Sequence, residues 1–185
     1  MAGSAIQTAS GRWVDPLDPD VASIDIGDIA QALANQCRFG GHCRAFYSVA
    51  QHSGIVADVC LERGGSAAEA LAALLHDAGE AYLVDLPHPL KHRSELGPPY
   101  KRAEARLEEA IRARFGLEPA GPEVKAIYRS LLATERRALT ATAERWPELD
   151  GAEPLAIEIE PWDPPRARRE FLDRFERLDG RRREP

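Results

Sequence analysis

The chain has 185 residues, 44% of them hydrophobic, which suits one domain with a substantial core better than two. Its 30 acidic and 24 basic residues give a net charge of -6, which argues against a binding surface for polymeric nucleic acid. No apolar run is as long as a membrane span, and the N-terminus lacks the pattern of a signal peptide. We therefore expect one cytoplasmic domain, residues 1–185, that does not associate with membranes. Its cysteines form no CxxC pair, so we expect all three to be reduced and structural: Cys37, Cys43 and Cys60.

Residues 1–23 are polar and rich in turn-forming residues, which predicts a loop or a small hairpin that packs Trp13 against the body of the protein. Apolar residues at helical spacing then predict a first helix at about residues 25–36. A second helix is predicted at about residues 48–64, because Ser48 is a suitable N-cap and a Gly-Gly pair ends the apolar pattern.

Ser66 and Glu69 have the spacing of a capping box, which predicts the start of a third helix. This helix is predicted to run to about Asp85, where a Leu-Pro-His-Pro run breaks it. Proline starts and a glycine stop mark further helices. These helices are predicted at residues 98–115, 122–146 and 164–178.

The C-terminal segment, residues 147–185, begins with acidic and proline-rich sequence in which residues 155–159 could be extended. It ends in three arginines, residues 181–183, which we interpret as a solvated tail. The chain contains no internal repeat and no convincing sheet. We therefore predict an all-α bundle of about six to seven helices, with its helical core at residues 24–146.

The stretch from residue 70 to residue 91 carries the most informative chemistry. An apolar helix face leads into His76, Asp77 and Glu80, which are placed where that face should meet the core. Burying an imidazole and two carboxylates is costly unless something compensates them, and a divalent cation would do so. Neighbouring helical residues point about 100° apart, so a shared ion must lie between helices and take further ligands from other segments. Glu80 lies one turn beyond His76 on the same helix face. It is thus a nearby carboxylate that could act on a metal-bound water.

His52 lies on an otherwise apolar stripe of the second predicted helix. Taken alone, such a residue is more often a hydrogen-bonded core histidine than a metal ligand. Combined with His76 and Asp77, it becomes a candidate third ligand. Two histidines and one aspartate suit Mn, Fe, Co, Ni or Zn better than Ca or Mg.

The sequence resembles the HD-domain metal-dependent phosphohydrolase superfamily, and within it the bacterial 5′-deoxynucleotidases and phage dNTP triphosphohydrolases. Residues 76–91 read HDAGEAYLVDLPHPLK and look like the HDAxE…DLPxPLK segment of these enzymes. Residues 51–53 match their QHS triplet, and residues 38–42 resemble the segment where they carry an Arg followed by an aromatic residue. The likeness spans about residues 25–140 and implies the HD-domain helical fold.

The resemblance implies roles for the residues of the candidate metal site. His52, His76 and Asp77 would hold the cation, which polarises a phosphate oxygen and lowers the pKa of water. Glu80 would position or deprotonate the attacking water, and Asp85 would contact the sugar or a second water.

Three further residues would bind the substrate. Arg38 and Lys91 would neutralise the phosphate, and the alternative for each is a solvated surface charge. Phe39 would stack on a base, or pack in the core. The remaining histidines are interpreted as non-ligands, His88 in a turn between two prolines: His42, His88 and His92.

One departure concerns the fourth metal ligand, an Asp that the superfamily supplies from a later helix. Here the position falls on Tyr128, upstream of the related Leu-Ala-Thr-Glu-Arg-Arg stretch at residues 132–137. No residue three or four positions away carries a carboxylate, and Glu135 lies about 10 Å further along the helix axis. A neutral phenol is a poor ligand for Mn, Co or Zn.

The sequence thus predicts a metal-dependent phosphohydrolase that cleaves a phosphate ester of a deoxynucleoside mono- or triphosphate. The alternative is a weakened or non-catalytic HD-fold protein that binds nucleotides, because of Tyr128. An HD-type mixed-valent di-iron oxygenase would need more His and Asp ligands than the 5 histidines supply. The amphipathic helix at residues 98–115 could contribute to a homo-oligomer interface.

Overall fold

The computed structural model describes residues 3–141 and 146–183, and it confirms the predicted all-α fold. Within these residues, eight α-helices and one two-stranded hairpin form around a common core. The strands are β1 (Ile6–Gln7) and β2 (Trp13–Val14). The helices are α1 (Ile26–Asn35), α2 (Val49–Glu62), α3 (Ala67–Leu74), α4 (Glu80–Leu83), α5 (His88–Arg93), α6 (Gly97–Phe115), α7 (Pro122–Leu139) and α8 (Pro164–Arg183).

The predicted hairpin is present, but the residue of β2 that it buries is Val14 and not Trp13. Val14 is 1% exposed and belongs to the core, whereas Trp13 is 48% exposed, so the prediction that Trp13 packs inward is wrong. Successive residues of a strand point to opposite faces, and the inward position of Val14 therefore turns Trp13 outward. The buried carboxylate of Asp28 accepts hydrogen bonds from Thr8 and Ser10, which fixes the hairpin against α1.

Side-chain caps start the first three helices where the sequence predicts them. Asp25 accepts from the first-turn amides of α1, and Ser48 accepts from the Gln51 amide of α2. Ser66 and Glu69 form the complete capping box of α3. Such caps satisfy amides that have no partner inside the helix.

Helix α8 crosses α1, α2 and α3 and covers the core between them. It does so with three buried residues, Ala167, Phe171 and Leu178. Helix α7 packs against α2 as well. As a result α2, which carries His52, lies in the middle of the bundle.

The third predicted helix does not continue to Asp85. Helix α3 ends at Leu74, and residues 75–79 form tight turns before α4 begins. In these turns the Ala78 amide donates to the Leu75 carbonyl and the Glu80 amide to the Asp77 carbonyl, three residues back instead of four. His76 and Asp77 therefore lie in a turn between two helices and not on a helix face.

Two further helix ends differ from the sequence predictions. Helix α7 ends at Leu139 because Thr140 adopts an extended conformation, and residues 142–145 of the predicted helix lie outside the described residues. Helix α8 continues to Arg183 and includes the predicted tail. Arg182 of that tail donates to the Phe115 and Gly116 carbonyls at the end of α6, so it caps a helix and is not simply solvated.

The segment between α7 and α8 lies across α2 and α7 without forming a strand in its described part, residues 146–163. The side-chain amide of Gln51 binds this segment through both of its polar atoms. Its nitrogen donates to the Glu160 carbonyl, and its oxygen accepts from the Trp162 amide. Thr134 accepts from the Leu155 amide. Over residues 3–141 and 146–183, no helix is long and apolar enough to cross a membrane. The three cysteines are free thiols, and the sulfurs of Cys37 and Cys43 are 3.4 Å apart.

Candidate metal centre

Three side chains from α2 and the turn after α3 converge on one point. The Nε2 atoms of His52 and His76 are 3.4 Å apart. The Asp77 Oδ2 atom lies 3.1 Å from the His76 Nε2 and 3.7 Å from the His52 Nε2. Among the described residues, this is the single group of His, Cys, Asp or Glu side chains arranged to hold a metal ion.

The other ring nitrogen of each histidine is occupied by a hydrogen-bond acceptor. His52 Nδ1 lies 2.6 Å from the Glu135 Oε1, and His76 Nδ1 lies 2.7 Å from the Ala73 carbonyl. Because both partners are acceptors, each Nδ1 carries the proton and each Nε2 presents a lone pair. Two lone pairs and a carboxylate that face one another at these distances repel unless a positive charge lies between them.

The pKa shifts of the three residues reflect this demand for positive charge. Burial lowers the pKa of His52, which keeps the ring neutral. Burial also opposes the charge on His76, but the Asp77 carboxylate outweighs it and raises the pKa of His76. His76 and the Arg38 guanidinium in turn outweigh burial at Asp77 and hold its pKa far below the ordinary range. A cation would replace the proton that His76 otherwise attracts.

Glu135 of α7 orients the centre, a role that the sequence analysis missed. It is fully buried, accepts from His52 Nδ1 and pairs with Arg38 at 3.1 Å. Burial alone would raise the pKa of Glu135, but Arg38 and His52 outweigh burial and lower it, so the group is a carboxylate. Glu135 does not take the place of a fourth ligand, because it contacts the Nδ1 atom of His52 and not the point where the three side chains converge. The available signal was a carboxylate on the same face of an apolar helix.

Arg38 is buried, 4% exposed, so the alternative of a solvated surface charge is wrong for this residue. Its guanidinium lies 3.1 Å from Glu135 and 3.7 Å from Asp77. Arg38 therefore links the carboxylate that orients His52 to the carboxylate that faces the ion position. It also lines the cleft in front of the centre, where a phosphate could reach it.

Tyr128 packs directly against the two histidines. Its ring centroid is 5.3 Å from that of His52 and 5.8 Å from that of His76, both in edge-on geometry. Burial raises the pKa of its phenol to about 12, so the phenol is neutral. Helix α7 thus brings Tyr128 to the side of the centre where the sequence analysis expects a fourth ligand.

Glu80 and Asp85 lie on the wall of the cleft next to the centre. Glu80 is 8% exposed, and its Oε2 atom has no hydrogen-bond partner. Burial, followed by Asp77 and Asp85, raises the pKa of Glu80 well above its ordinary value. Burial also raises the pKa of Asp85, partly offset by Arg38. A buried, unpaired carboxyl group that faces a cleft is typical of a proton-transfer site.

The cleft has a volume of about 1290 Å³, enough for a nucleotide. Phe39, in a left-handed backbone conformation, meets Trp146 edge to face at 6.1 Å on one wall. Lys91 lies on another wall and is ion-paired with Glu104. The three histidines interpreted as non-ligands also line this cleft and do not join the metal group, although His88 begins α5 instead of lying in a turn: His42, His88 and His92.

Comparison with known proteins gives no match to a family model. The chain is 39% identical over 180 residues to the uncharacterized protein YfdR of Escherichia coli (strain K12), covering 95% of this chain and 96% of that protein. It belongs to the YfdR family. A second relative, the uncharacterized protein RCAP_rcc00048 of Rhodobacter capsulatus, is 37% identical over 140 residues, covering 74% of this chain and 69% of the relative.

In this YfdR family member, the residues singled out from the sequence fall into two groups. His52, His76 and Asp77 form the convergent metal group, with Tyr128 against it. The others line the cleft that opens from it: Arg38, Phe39, Glu80, Asp85 and Lys91. The names of the two relatives state no activity, so the family match gives no information about the substrate.

Proposed function

We propose that the chain is a metal-dependent HD-domain phosphohydrolase that hydrolyses a phosphate ester of deoxynucleoside mono- or triphosphates. The observation that carries the proposal is the convergence of two imidazole lone pairs and one carboxylate within 3.7 Å at the floor of a cleft. The likeness of residues 76–91 to the HD-domain nucleotidases supports the substrate class.

The donor set fits a divalent transition metal. Two neutral imidazoles and one carboxylate suit Mn, Fe, Co, Ni or Zn, and each histidine is already held in the tautomer that such an ion requires. A bound divalent ion would supply Lewis-acid polarisation of a phosphate oxygen and a more acidic water. His52, His76 and Asp77 would hold it.

The remaining residues bind the substrate and move the proton. Glu80 Oε2, which has no partner, accepts a hydrogen bond from the attacking water and takes its proton. A cation at the neighbouring centre would favour the ionised form of Glu80 that this step needs. Arg38 neutralises charge on the phosphate. Asp85 contacts the sugar or a second water, and Phe39 with Trp146 offers an aromatic wall to the base.

The direct test measures bound metal by elemental analysis and release of the deoxynucleoside from a panel of deoxynucleoside mono- and triphosphates, because cleavage of the ester yields phosphate from a monophosphate but tripolyphosphate from a triphosphate. We expect close to one transition-metal ion per chain and deoxynucleoside release that a chelator abolishes and added metal restores. A protein that releases no deoxynucleoside after loading with each of the five candidate metals would rule the proposal out.

His76→Ala is expected to weaken metal binding by at least about 100-fold, because it removes one of three ligands. The helical content should change little, since His76 lies in the turn between α3 and α4 and belongs to neither helix. Competitive titration with a chelating dye and circular dichroism measure the two quantities. His42→Ala, which removes an exposed histidine of the same cleft, is the matched control. Equal metal affinity in His76→Ala and the wild type would contradict the site assignment.

A second candidate function is nucleotide binding without catalysis on the same fold. The observation that favours it is Tyr128, a neutral phenol packed against both histidines where the HD-domain enzymes place a carboxylate. A centre with three ligands holds its ion less tightly and orients it less well. Nucleotide binding in the absence of phosphate release, in the metal-loaded protein, distinguishes this candidate.

Tyr128→Asp is expected to raise metal affinity at least about fivefold, because one additional kcal/mol from an anionic ligand corresponds to that factor. Phosphate release should rise with it, since a fourth ligand also orients the ion. Tyr128→Phe keeps the ring packing without the hydroxyl and serves as the control. Metal affinity, melting temperature and phosphate release are compared for the three proteins. A lower melting temperature without a gain in metal affinity would mean that residue 128 is not the fourth-ligand position.

A further inference from the structure

A cluster of cationic side chains lies at one end of the cleft, on α5 and the start of α6. It consists of Lys91, His92, Arg93 and Lys101, which we call the cationic rim. The same four residues line a second cavity of about 600 Å³ and also the main cleft, so the two cavities are contiguous. An anion bound at the metal centre therefore has a continuous path to the cationic rim.

The members of the cationic rim differ in how far carboxylates neutralise them. Lys91 is paired with Glu104. Arg93 is exposed, and its nearest ion-pair partner, Glu148, is 3.9 Å away. Lys101 has no carboxylate within 4.0 Å among residues 3–141 and 146–183. Its Nζ instead donates to the His92 Nδ1 at 3.1 Å. Lys101 is thus the member of the cationic rim that no described carboxylate neutralises, and the ion pair of Arg93 is long enough to exchange for an anion.

Three cations, Lys91, Arg93 and Lys101, line the second cavity against one carboxylate, Glu95, although the whole chain has a net charge of -6. Burial lowers the pKa of His92, and the neighbouring basic side chains of α5 and α6 lower it further. His92 also stacks on His88, with ring centroids 4.2 Å apart. Cations held close together repel one another, and a polyanion that enters between them relieves that repulsion.

We propose that the cationic rim binds the distal phosphates of the substrate, so that the preferred substrate is a deoxynucleoside triphosphate and not a monophosphate. This inference rests on the proposed function, because it places the ester phosphate at the metal centre. Lys91 lines both cavities and lies where a phosphate chain would pass from one to the other. Arg93 offers a planar fork and Lys101 a point charge, and both suit phosphate oxygens.

Isothermal titration calorimetry tests the cationic rim by measuring the affinity of the wild-type chain for dTMP, dTTP and inorganic tripolyphosphate. The protein is metal-free and a chelator is present, so that nothing is hydrolysed. We expect dTTP to bind at least about tenfold more tightly than dTMP, and the difference to shrink as salt is added. Lys101→Ala should weaken dTTP binding about fivefold and dTMP binding less than twofold. Arg102→Ala, which removes a neighbouring exposed cation outside both cavities, should change neither.

Equal affinity for dTMP and dTTP, an equal effect of Lys101→Ala on both, or no binding of any probe would overturn the inference. Tripolyphosphate binding that depends on Lys101, without a preference for dTTP over dTMP, would assign the cationic rim to inorganic polyphosphate and overturn it as well. The proposed function is tested separately by metal-dependent phosphate release from dTMP. The two can therefore fail independently.

Discussion

Glu80→Gln is expected to lower the turnover of a deoxynucleotide about 10²- to 10⁴-fold, the range that a positioned general base contributes. Glutamine has the same shape and can still accept a hydrogen bond, but it cannot take the proton of the attacking water. Glu80 is not one of the three converging metal residues, so metal content should stay at the wild-type value. Steady-state phosphate release and elemental analysis of the same preparations measure both quantities.

The same variant should make the metal-free protein more stable near neutral pH, by about 1 kcal/mol. Burial and the neighbouring Asp77 and Asp85 oppose ionisation of Glu80, and a neutral amide removes that cost. A chemical denaturation midpoint in the presence of chelator measures this difference. The matched control is Glu108→Gln, which removes another carboxylate of the cleft wall, on α6, and should retain turnover. Wild-type turnover in Glu80→Gln would remove Glu80 from the mechanism, whatever happens to stability.

The elements that were predictable from sequence are those governed by residues a few positions apart. Ser48 reaches the amide three residues along, and Ser66 and Glu69 bond each other across one turn. Gly116 ends α6 in the left-handed conformation that its lack of a side chain permits. Each of these contacts is short in sequence, so the pattern of residue types predicts it without knowledge of the fold.

The turn that carries His76 and Asp77 was not predictable in the same way. Residues 70–83 favour a continuous helix, and a local pattern contains nothing that would change its hydrogen bonds from four residues back to three. The turn brings His76 Nε2 and Asp77 Oδ2 within 3.1 Å, which adjacent positions of a regular helix, about 100° apart, do not favour. Packing of the buried Ala78 against the core compensates for the interrupted helix.

Contacts between distant parts of the chain were also beyond the sequence analysis. His52 and Glu135 are 83 residues apart and meet only because α2 packs against α7. A carboxylate seven residues beyond Tyr128 could be assigned to the right face of α7, but not to a partner. Arg38 is buried because it pairs with the same carboxylate. The contact between Arg38 and Glu135, which the sequence does not reveal, therefore explains why the roles of both residues were misjudged.

Glu135→Ala is expected to destabilise the metal-free protein by about 3 to 5 kcal/mol, the usual cost of removing one partner of a buried ion pair. His52 Nδ1 would lose its acceptor, and the Arg38 guanidinium would keep only Asp77, at 3.7 Å. Metal affinity should fall about 10- to 100-fold as well, because the histidine ring would no longer be held in one tautomer and orientation. Denaturation with chelator present and competitive metal titration measure these two effects.

Glu135→Gln separates the two roles of this side chain. The amide oxygen of glutamine can still accept from His52 Nδ1, whereas a neutral side chain leaves Arg38 with the more distant Asp77 as its ion-pair partner. If Glu135 acts on the metal chiefly by fixing the tautomer of His52, the Gln variant should recover most of the metal affinity that the Ala variant loses, while remaining less stable than the wild type. If Gln and Ala lower metal affinity equally, the negative charge of Glu135 is what the centre requires. Wild-type metal affinity in Glu135→Ala would instead show that the His52 to Glu135 contact supports the fold alone, and that the position of His52 Nε2 is fixed by the packing of α2.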